Sequence, residues 1–445
     1  MTKKQMKLGL FIKLPGQHVA SWRHPGAATD SIFNLDFLTG IAQKAEEAKF
    51  DTIFFADVFG SNVSEGSSNA LKLDPVILIS ALAAATKNIG LTATLTTTYN
   101  EPFHVARKFS AIDHLSKGRA AWNVVTSNND REALLFGKEK HLAHADRYER
   151  AEEFVEVVKQ LWSSIEADAI INDRENGRYL DLAKVHPVDH KGKWFNVKGT
   201  LDSPSTPQGH PVIVQAGSSE AGKELAAKTA EVIFTAWQTL EEAQVFYRDV
   251  KGRLAKYGRN REDLKIMPGV FITVAKTEEE ALAKRKQLNN YISPEVGLAY
   301  LSNFIRQDLS GFDVDAPLPE PGEHEDKTNP QVRSSIIRRI AERENLHTLR
   351  EVYEHIAGAR GHREIVGTPE QIVDQLEEWF LNEGADGFNI MPPTYPEGFN
   401  DIVELVIPEL RRRGLFRTEY EGATLRENLG LKVPENPNKK QSQTV

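Results

Sequence analysis

Short apolar runs alternate along this chain with longer segments whose apolar residues recur at helical spacing. The runs are Lys7–Ile12, Thr52–Asp57, Ile89–Leu95, Arg119–Ser127, Pro211–Gly217, Val232–Trp237, Lys265–Ala275 and Ala385–Met391. Between them, Phe37/Leu38, Ile41, Ala45 and Ala48 share one helix face. Ala151, Phe154/Val155, Val158 and Leu161/Trp162 share another. The punctuation agrees with this reading. Asp74-Pro75 supplies an N-cap and then a residue that needs no N–H in the first helical turn. Thr368 and Gln371 stand at capping-box spacing. Strands apolar on both faces suit a parallel sheet covered by helices. Eight such units predict a closed (β/α)8 TIM barrel, with an open doubly wound sheet as the rival pattern.

Two stretches interrupt the repeat. One is about 167–210, after the fourth unit, where His186–Val197 reads as a hairpin followed by a Pro-rich loop. The other is about 290–367, after the seventh, with the polar connection Pro317–Lys327 and then a helical stretch. Both read as insertions in a single barrel domain over 1–432, followed by a polar tail over 433–445. A plain barrel needs about 250 residues, so a chain of 445 has room for them.

Composition removes several classes of function. The chain has no cysteine, which excludes disulfides, thiolate nucleophiles and Cys-ligated zinc. A formal charge of -8 gives no basic footprint for nucleic acid. No apolar run reaches the roughly 20 residues needed to span a bilayer, and Met1–Lys7 lacks a signal-peptide core. A cytoplasmic protein is the expectation.

Barrel chemistry sits on the loops after the strand C-termini. Here these are Lys13–Pro25, Asp57–Asn62, Thr94–Glu101, Asn123–Asp130, Gly217–Lys223, Trp237–Thr239 and Met391–Tyr395. Gly217-Ser218-Ser219-Glu220-Ala221-Gly222-Lys223 almost spells a P-loop, but Glu224 replaces the Mg²⁺-binding Ser or Thr. Its free N–H groups suit a phosphate, and an ordinary serine-capped helix explains it equally well. Asp57 reads as a turn residue or as a carboxylate at the barrel mouth. Thr94 and Thr96–Thr98 are explained by β-branched preference or by a hydroxyl-rich site. Asn123 is an interior amide that needs partners. His144 and Tyr148 share a helix face, but no third ligand nominates a metal, so none is expected. Lys13 and the aromatic, cationic Trp22-Arg23-His24-Pro25 loop form either a substrate wall or a packed loop. No nucleophile elbow and no dinucleotide fingerprint appears, the pattern expected when a cofactor carries the chemistry.

Together these positions resemble the bacterial-luciferase-like flavin monooxygenases. The subgroup they look most like is that of the nitrilotriacetate, EDTA, dibenzothiophene-sulfone and long-chain-alkane enzymes. The marks are Trp22-Arg23-His24-Pro25, Phe54-Phe55-Ala56-Asp57, Asp113-His114-Leu115-Ser116-Lys117-Gly118-Arg119 and Trp122-Asn123-Val124-Val125-Thr126-Ser127. They continue with His144-Ala145-Asp146-Arg147-Tyr148, Gln215-Ala216-Gly217-Ser218-Ser219, Ala385-Asp386-Gly387-Phe388 and Thr424-Leu425-Arg426-Glu427-Asn428-Leu429-Gly430.

The resemblance implies FMN, used as FMNH2 with O2 as co-substrate and supplied by a separate NAD(P)H:flavin reductase. Asp57, Thr94 and Asn123 would surround the isoalloxazine, His144 and Tyr148 the ribityl-phosphate side, and Gly217, Ser218 and Ser219 the phosphate. The expected outcome is oxidation of a small organosulfur or amino-carboxylate compound, with C–S or C–N cleavage. Lys13, Arg23, His24, His362 and Arg363 are the substrate candidates, and the 290–367 insertion is the candidate lid. The alkane enzymes carry a cysteine just after the first strand, so its absence here argues against an alkane substrate. A homodimer or homotetramer is expected. The alternatives are a non-catalytic flavin-binding protein and a deazaflavin-dependent dehydrogenase on the same barrel. A phosphate loop after the fifth strand departs from the usual barrel position after the seventh and eighth.

Overall fold

The computed structural model describes residues 4–28, 30–60, 68, 71–127, 130–321 and 333–440. Met1, Asn62, residues 322–327 of the Pro-rich connection and 441–445 of the tail lie outside the described residues. In chain order the strands are β1 (Lys7–Phe11), β2 (Thr52–Phe55), β3 (Gly90–Thr96), β4 (Ala120–Val125), β5 (Ile170–Asp173), β6 (Arg178–Leu180), β7 (Val188–Lys191), β8 (Asn196–Gly199), β9 (Val212–Gln215), β10 (Val232–Thr235), β11 (Lys265–Val274), β12 (Arg363–Gly367) and β13 (Gly387–Met391). Parallel pairing runs β10-β9-β4-β3-β2-β1-β13-β11, and β10 also pairs with β11, so eight strands close on themselves. The barrel read from the apolar runs is the observed fold.

The strands form here because nearly every residue in them is buried on both sheet faces. Phe11, Phe54, Ala121, Val212, Val214, Val232, Met267, Phe271 and Met391 pack together, with Phe11, Phe54 and Phe234 meeting at ring-centroid distances of 5.3–5.4 Å. The opposite faces pack against the helices, for example Trp122 against Phe109, Phe154 and Trp162. The expected caps are present. Asp74 accepts from the N–H groups of Val76 and Ile77, and Thr368 and Gln371 form a capping box.

Leu425, Leu429 and Leu431 of the C-terminal segment join the first of these clusters. The buried Arg426 beside them pairs with Glu231 and donates to the carbonyls of His210 and Lys432. Gly90 is required by this arrangement, since a Cβ there would lie 2.5 Å from Leu425 Cδ1.

The insertions hold more structure than the sequence pattern suggests. The expected hairpin is β7–β8, and a second antiparallel hairpin, β5–β6, precedes it. The 290–367 segment contributes helices Pro294–Ile305, Arg333–Arg343 and Leu349–Ala359, which share a buried apolar cluster with Val19 and Ala20. It ends in β12, a ninth strand that pairs with the second half of β11 outside the closed ring.

Candidate active site

The ends of β2, β3, β4 and β9 surround a cavity of about 320 Å³ at one mouth of the barrel. Asp57, Thr94, His144, Tyr148, Gly217, Ser218 and Ser219 all line it. Asn123 stands one layer behind. It lies opposite Thr94 in the β3–β4 register and donates from Nδ2 to Thr94 Oγ1 at 2.8 Å. Its Oδ1 is buried with no hydrogen-bond partner. The loop after β9 does follow the fifth strand of the closed ring, as the sequence count places it.

That loop is built for close approach. A Cβ on Gly217 would lie 3.1 Å from Gly222 Cα, so the turn packs backbone on backbone as the helix Glu220–Thr229 begins. Ser219 is its N-cap and accepts from Gly222 N at 3.1 Å, while its hydroxyl reaches Tyr148 Oη at 3.5 Å. Lys223, the would-be P-loop lysine, is bound instead to Asp249 at 2.6 Å and to Glu220. The helix dipole favours an anion at this end of the cavity.

Other charges shape the cavity. Arg147 lines it, donates to the Leu142 carbonyl at 2.7 Å and has a buried Nε with no partner. Burial, and then Arg147, hold the pKa of His144 below its ordinary value. Burial raises the Asp57 carboxyl above its ordinary range, while Lys72, 3.1 Å away, opposes the shift. Glu132 is buried in the wall and accepts from Ser127 Oγ at 2.6 Å.

The substrate candidates are not brought together. Lys13 lines a neighbouring cavity that shares Asp57 and Val58 with the first. Arg23 is exposed, donating to the Tyr291 carbonyl and lying over its ring. His24 accepts from Gly26 N and lies 3.7 Å from Glu397. His362 stacks on Phe234 at 5.1 Å and 12°. Arg363 packs away from both cavities, donating to Gln238 and Gln375 with Trp379 beneath it.

Thr96 and Ser127, hydroxyls at two strand ends, line the first cavity, and so do Arg147, Glu132 and Gln215, to which sequence reasoning gave no individual role. Arg147 had a signal, since it falls three residues after His144 on the same helix face. Glu132 had none, because only the folded turn brings it to the Ser127 hydroxyl.

The closed parallel barrel carries this cavity at its strand ends, the place where enzymes of the fold hold their active sites. The luciferase-like monooxygenase family model matches residues 14–387, and the chain belongs to that family and is a monooxygenase. It is 51% identical over 435 residues to the N-acetyl-S-(2-succino)cysteine monooxygenase of Bacillus subtilis (strain 168), covering 98% of each chain. It is 50% identical to nitrilotriacetate monooxygenase component A of Aminobacter aminovorans, covering 97% of this chain and 98% of that one. This relative bears out the subgroup indicated by the motifs. A crystal structure of a riboflavin lyase with modified FMN and substrate riboflavin is 32% identical, with a TM-score of 0.84 over 98% of this chain and 99% of that one. No helix among the described residues is long and apolar enough to cross a membrane.

Proposed function

We propose that this protein is the oxygenating component of a two-component, FMNH2-dependent monooxygenase that cleaves a C–S or C–N bond in a small organosulfur or amino-carboxylate compound. The observation that carries the reading is the convergence of Asp57, Thr94, His144, Tyr148 and the Gly217-Ser218-Ser219 turn on one cavity. The residues fit FMN. The capped helix start and Arg147 offer donors and positive charge to a phosphate, and the orphaned Asn123 Oδ1 offers an acceptor beside Thr94.

Bound there, FMNH2 would supply the two electrons that split O2, one oxygen atom entering the substrate carbon and the other leaving as water. The chain's own part is to hold and shield. Ser218, Ser219 and Arg147 grip the phosphate, and His144 and Tyr148 flank the ribityl chain. Thr94, Asn123 and Asp57 orient the ring. The Phe11–Phe54–Phe234 cluster keeps the barrel interior dry, which protects a reactive reduced flavin from wasteful loss of H2O2. A carbon hydroxylated next to sulfur or nitrogen then releases that heteroatom.

The reductant would come from a separate NAD(P)H:flavin reductase. The nitrilotriacetate relative is named as one component of its enzyme, which supports a divided system. The test is oxygen uptake with enzymatically supplied FMNH2 and a panel of organosulfur and amino-carboxylate compounds. Substrate-dependent uptake with ¹⁸O in the product is expected. Tight FMN binding with no substrate-dependent uptake would instead mark a flavin-binding protein, and preference for a deazaflavin would mark a dehydrogenase.

A further inference from the structure

Among the described residues two carboxylates line the first cavity, Asp57 and Glu132, and the function proposed above leaves Glu132 unused. Glu132 is 2% exposed, and no cation pairs with it among those residues. Burying a carboxylate without a counter-ion costs stability, a cost that functional sites bear.

Glu132 ends a chain of hydrogen bonds. Ser127 Oγ donates to Glu132 Oε2 at 2.6 Å. Ser127 Oγ and Thr96 Oγ1 lie 2.9 Å apart, and Thr98 N donates to Thr96 Oγ1 at 3.1 Å. Thr96, Ser127 and Glu132 all line the first cavity. Ser127 holds its place at a φ of 49°, a left-handed backbone that costs a serine about 1–2 kcal/mol.

Counting protons fixes the direction of the chain. A carboxylate only accepts, so the single hydroxyl proton of Ser127 is committed to Glu132. Thr96 must then donate to Ser127. One Thr96 lone pair is taken by the Thr98 N–H, and the other is left for a guest of the cavity. Two further acceptors at this site, Asn123 Oδ1 and Gln215 Oε1, are buried without partners. This side of the cavity calls for N–H groups.

We infer that Glu132, acting through Ser127, holds Thr96 as a hydrogen-bond acceptor and so tunes the cavity to reduced rather than oxidised FMN. The ring nitrogens that gain hydrogen on reduction are bare acceptors in the oxidised form. An acceptor in the wall therefore meets a donor only after reduction. Glu132 is a positioning residue, and Thr96 makes the contact. The inference rests on the flavin reading above and adds to it the residues that tell the two redox states of the cofactor apart.

The test is a double-mutant cycle, read by anaerobic titration of the full chain with FMN and with dithionite-reduced FMN. The quantity measured is the ratio of the two dissociation constants. Thr96→Val removes the acceptor and should weaken reduced FMN about threefold to tenfold while leaving oxidised FMN unchanged. Thr96→Ser should keep the parent's ratio. Glu132→Gln lets Ser127 accept instead of donate, which frees Thr96 to turn its proton to the cavity. In that background Thr96→Val should no longer lower the preference for reduced FMN. The cycle cancels the through-space effect of the lost charge, which is the same with and without the Thr96 hydroxyl. If Glu132→Gln does not fold, Ser127→Gly suits the left-handed backbone and cuts the same chain. No change in the ratio on Thr96→Val, an equal loss for both redox states, or the same loss with and without Glu132 would overturn the inference. Parent protein that binds neither form would sink the flavin site and this inference with it. Parent protein that binds both, with Thr96 and Glu132 acting independently, would sink this inference alone.

Discussion

Ser219 has two separable jobs, and aspartate separates them. Its hydroxyl caps the helix Glu220–Thr229 by accepting from Gly222 N, and it faces the cavity assigned to the FMN phosphate. Ser219→Ala removes both. Loss of an N-cap costs about 1 kcal/mol, which in a chain of this size lowers Tm by about 1–2 °C. Loss of a hydroxyl donor to a phosphate oxygen costs about 1.5–3 kcal/mol, or roughly tenfold to a hundredfold in FMN affinity. Ser219→Asp keeps the cap, because aspartate serves as well as serine there. It also sets a negative charge against a phosphate carrying roughly −1.5 to −2. Two unit charges about 4 Å apart repel by about 4 kcal/mol at an effective dielectric near 20. The cavity is open to solvent, so screening reduces this, and a loss of about a hundredfold is the expected result. Thermal melts without flavin and fluorescence titration of FMN measure the two effects independently. The aspartate variant should melt like the parent and bind FMN far more weakly, less so at high salt. If it binds FMN like the parent, the phosphate does not sit at this helix start.

Further outcomes follow from buried groups. His18 is fully buried and its pKa falls to about 4, first because of burial and then because of Arg285. His210 falls to about 3, again mainly from burial. In the unfolded chain both take up a proton near pH 6.5, so folding stability is lost as pH drops from about 6.5 toward 4, by up to about 3 kcal/mol for each ring. Tm should fall over that range, and His18→Gln should flatten part of the slope. Asp113 acts in the opposite sense. Burial raises its pKa to about 6, so its charged form destabilises the fold above that pH. Asp113→Asn should therefore raise Tm at pH 8 more than at pH 5, provided the amide oxygen still accepts from Ala120 N and Gln208 Nε2. Gly387→Ala should yield insoluble protein, because a Cβ there would lie 1.9 Å from the Lys7 carbonyl oxygen. Soluble, native-like material would show that the β1–β13 seam can open.

The barrel was legible because its strands are buried on both faces and so are apolar throughout. The strand β12, Arg363-Glu364-Ile365-Val366-Gly367, was not, since it starts with two charged residues and packs outside the ring. The hairpin β5–β6 is largely exposed, which leaves no hydrophobic alternation to read. In the site, Asn123 and the Gly217–Ser219 turn stood out because buried amides and glycine-hydroxyl turns need a reason. Glu132 did not, because nothing local marks a carboxylate in the short helix Asp130–Leu135 as facing a cavity formed by segments distant in the chain. Arg363 was the more conspicuous residue beside His362, and only packing reveals that it serves the helix Pro369–Leu381.

The seating of Leu425, Leu429 and Leu431 has a consequence for traffic through the enzyme. Leu425 donates its N–H to the Gly118 carbonyl and presses on Gly90, at the strand starts, while both cavities open at the strand ends. The segment is thus a stopper in the floor of the barrel, and a vessel stopped at the floor is filled and emptied over its rim. Under the function proposed above, flavin, oxygen, substrate and product would all pass over that rim. With Asp57 in the wall of both cavities, a guest seated in one stands at the threshold of the other. The order in which guests arrive and depart becomes a matter of architecture as much as of affinity.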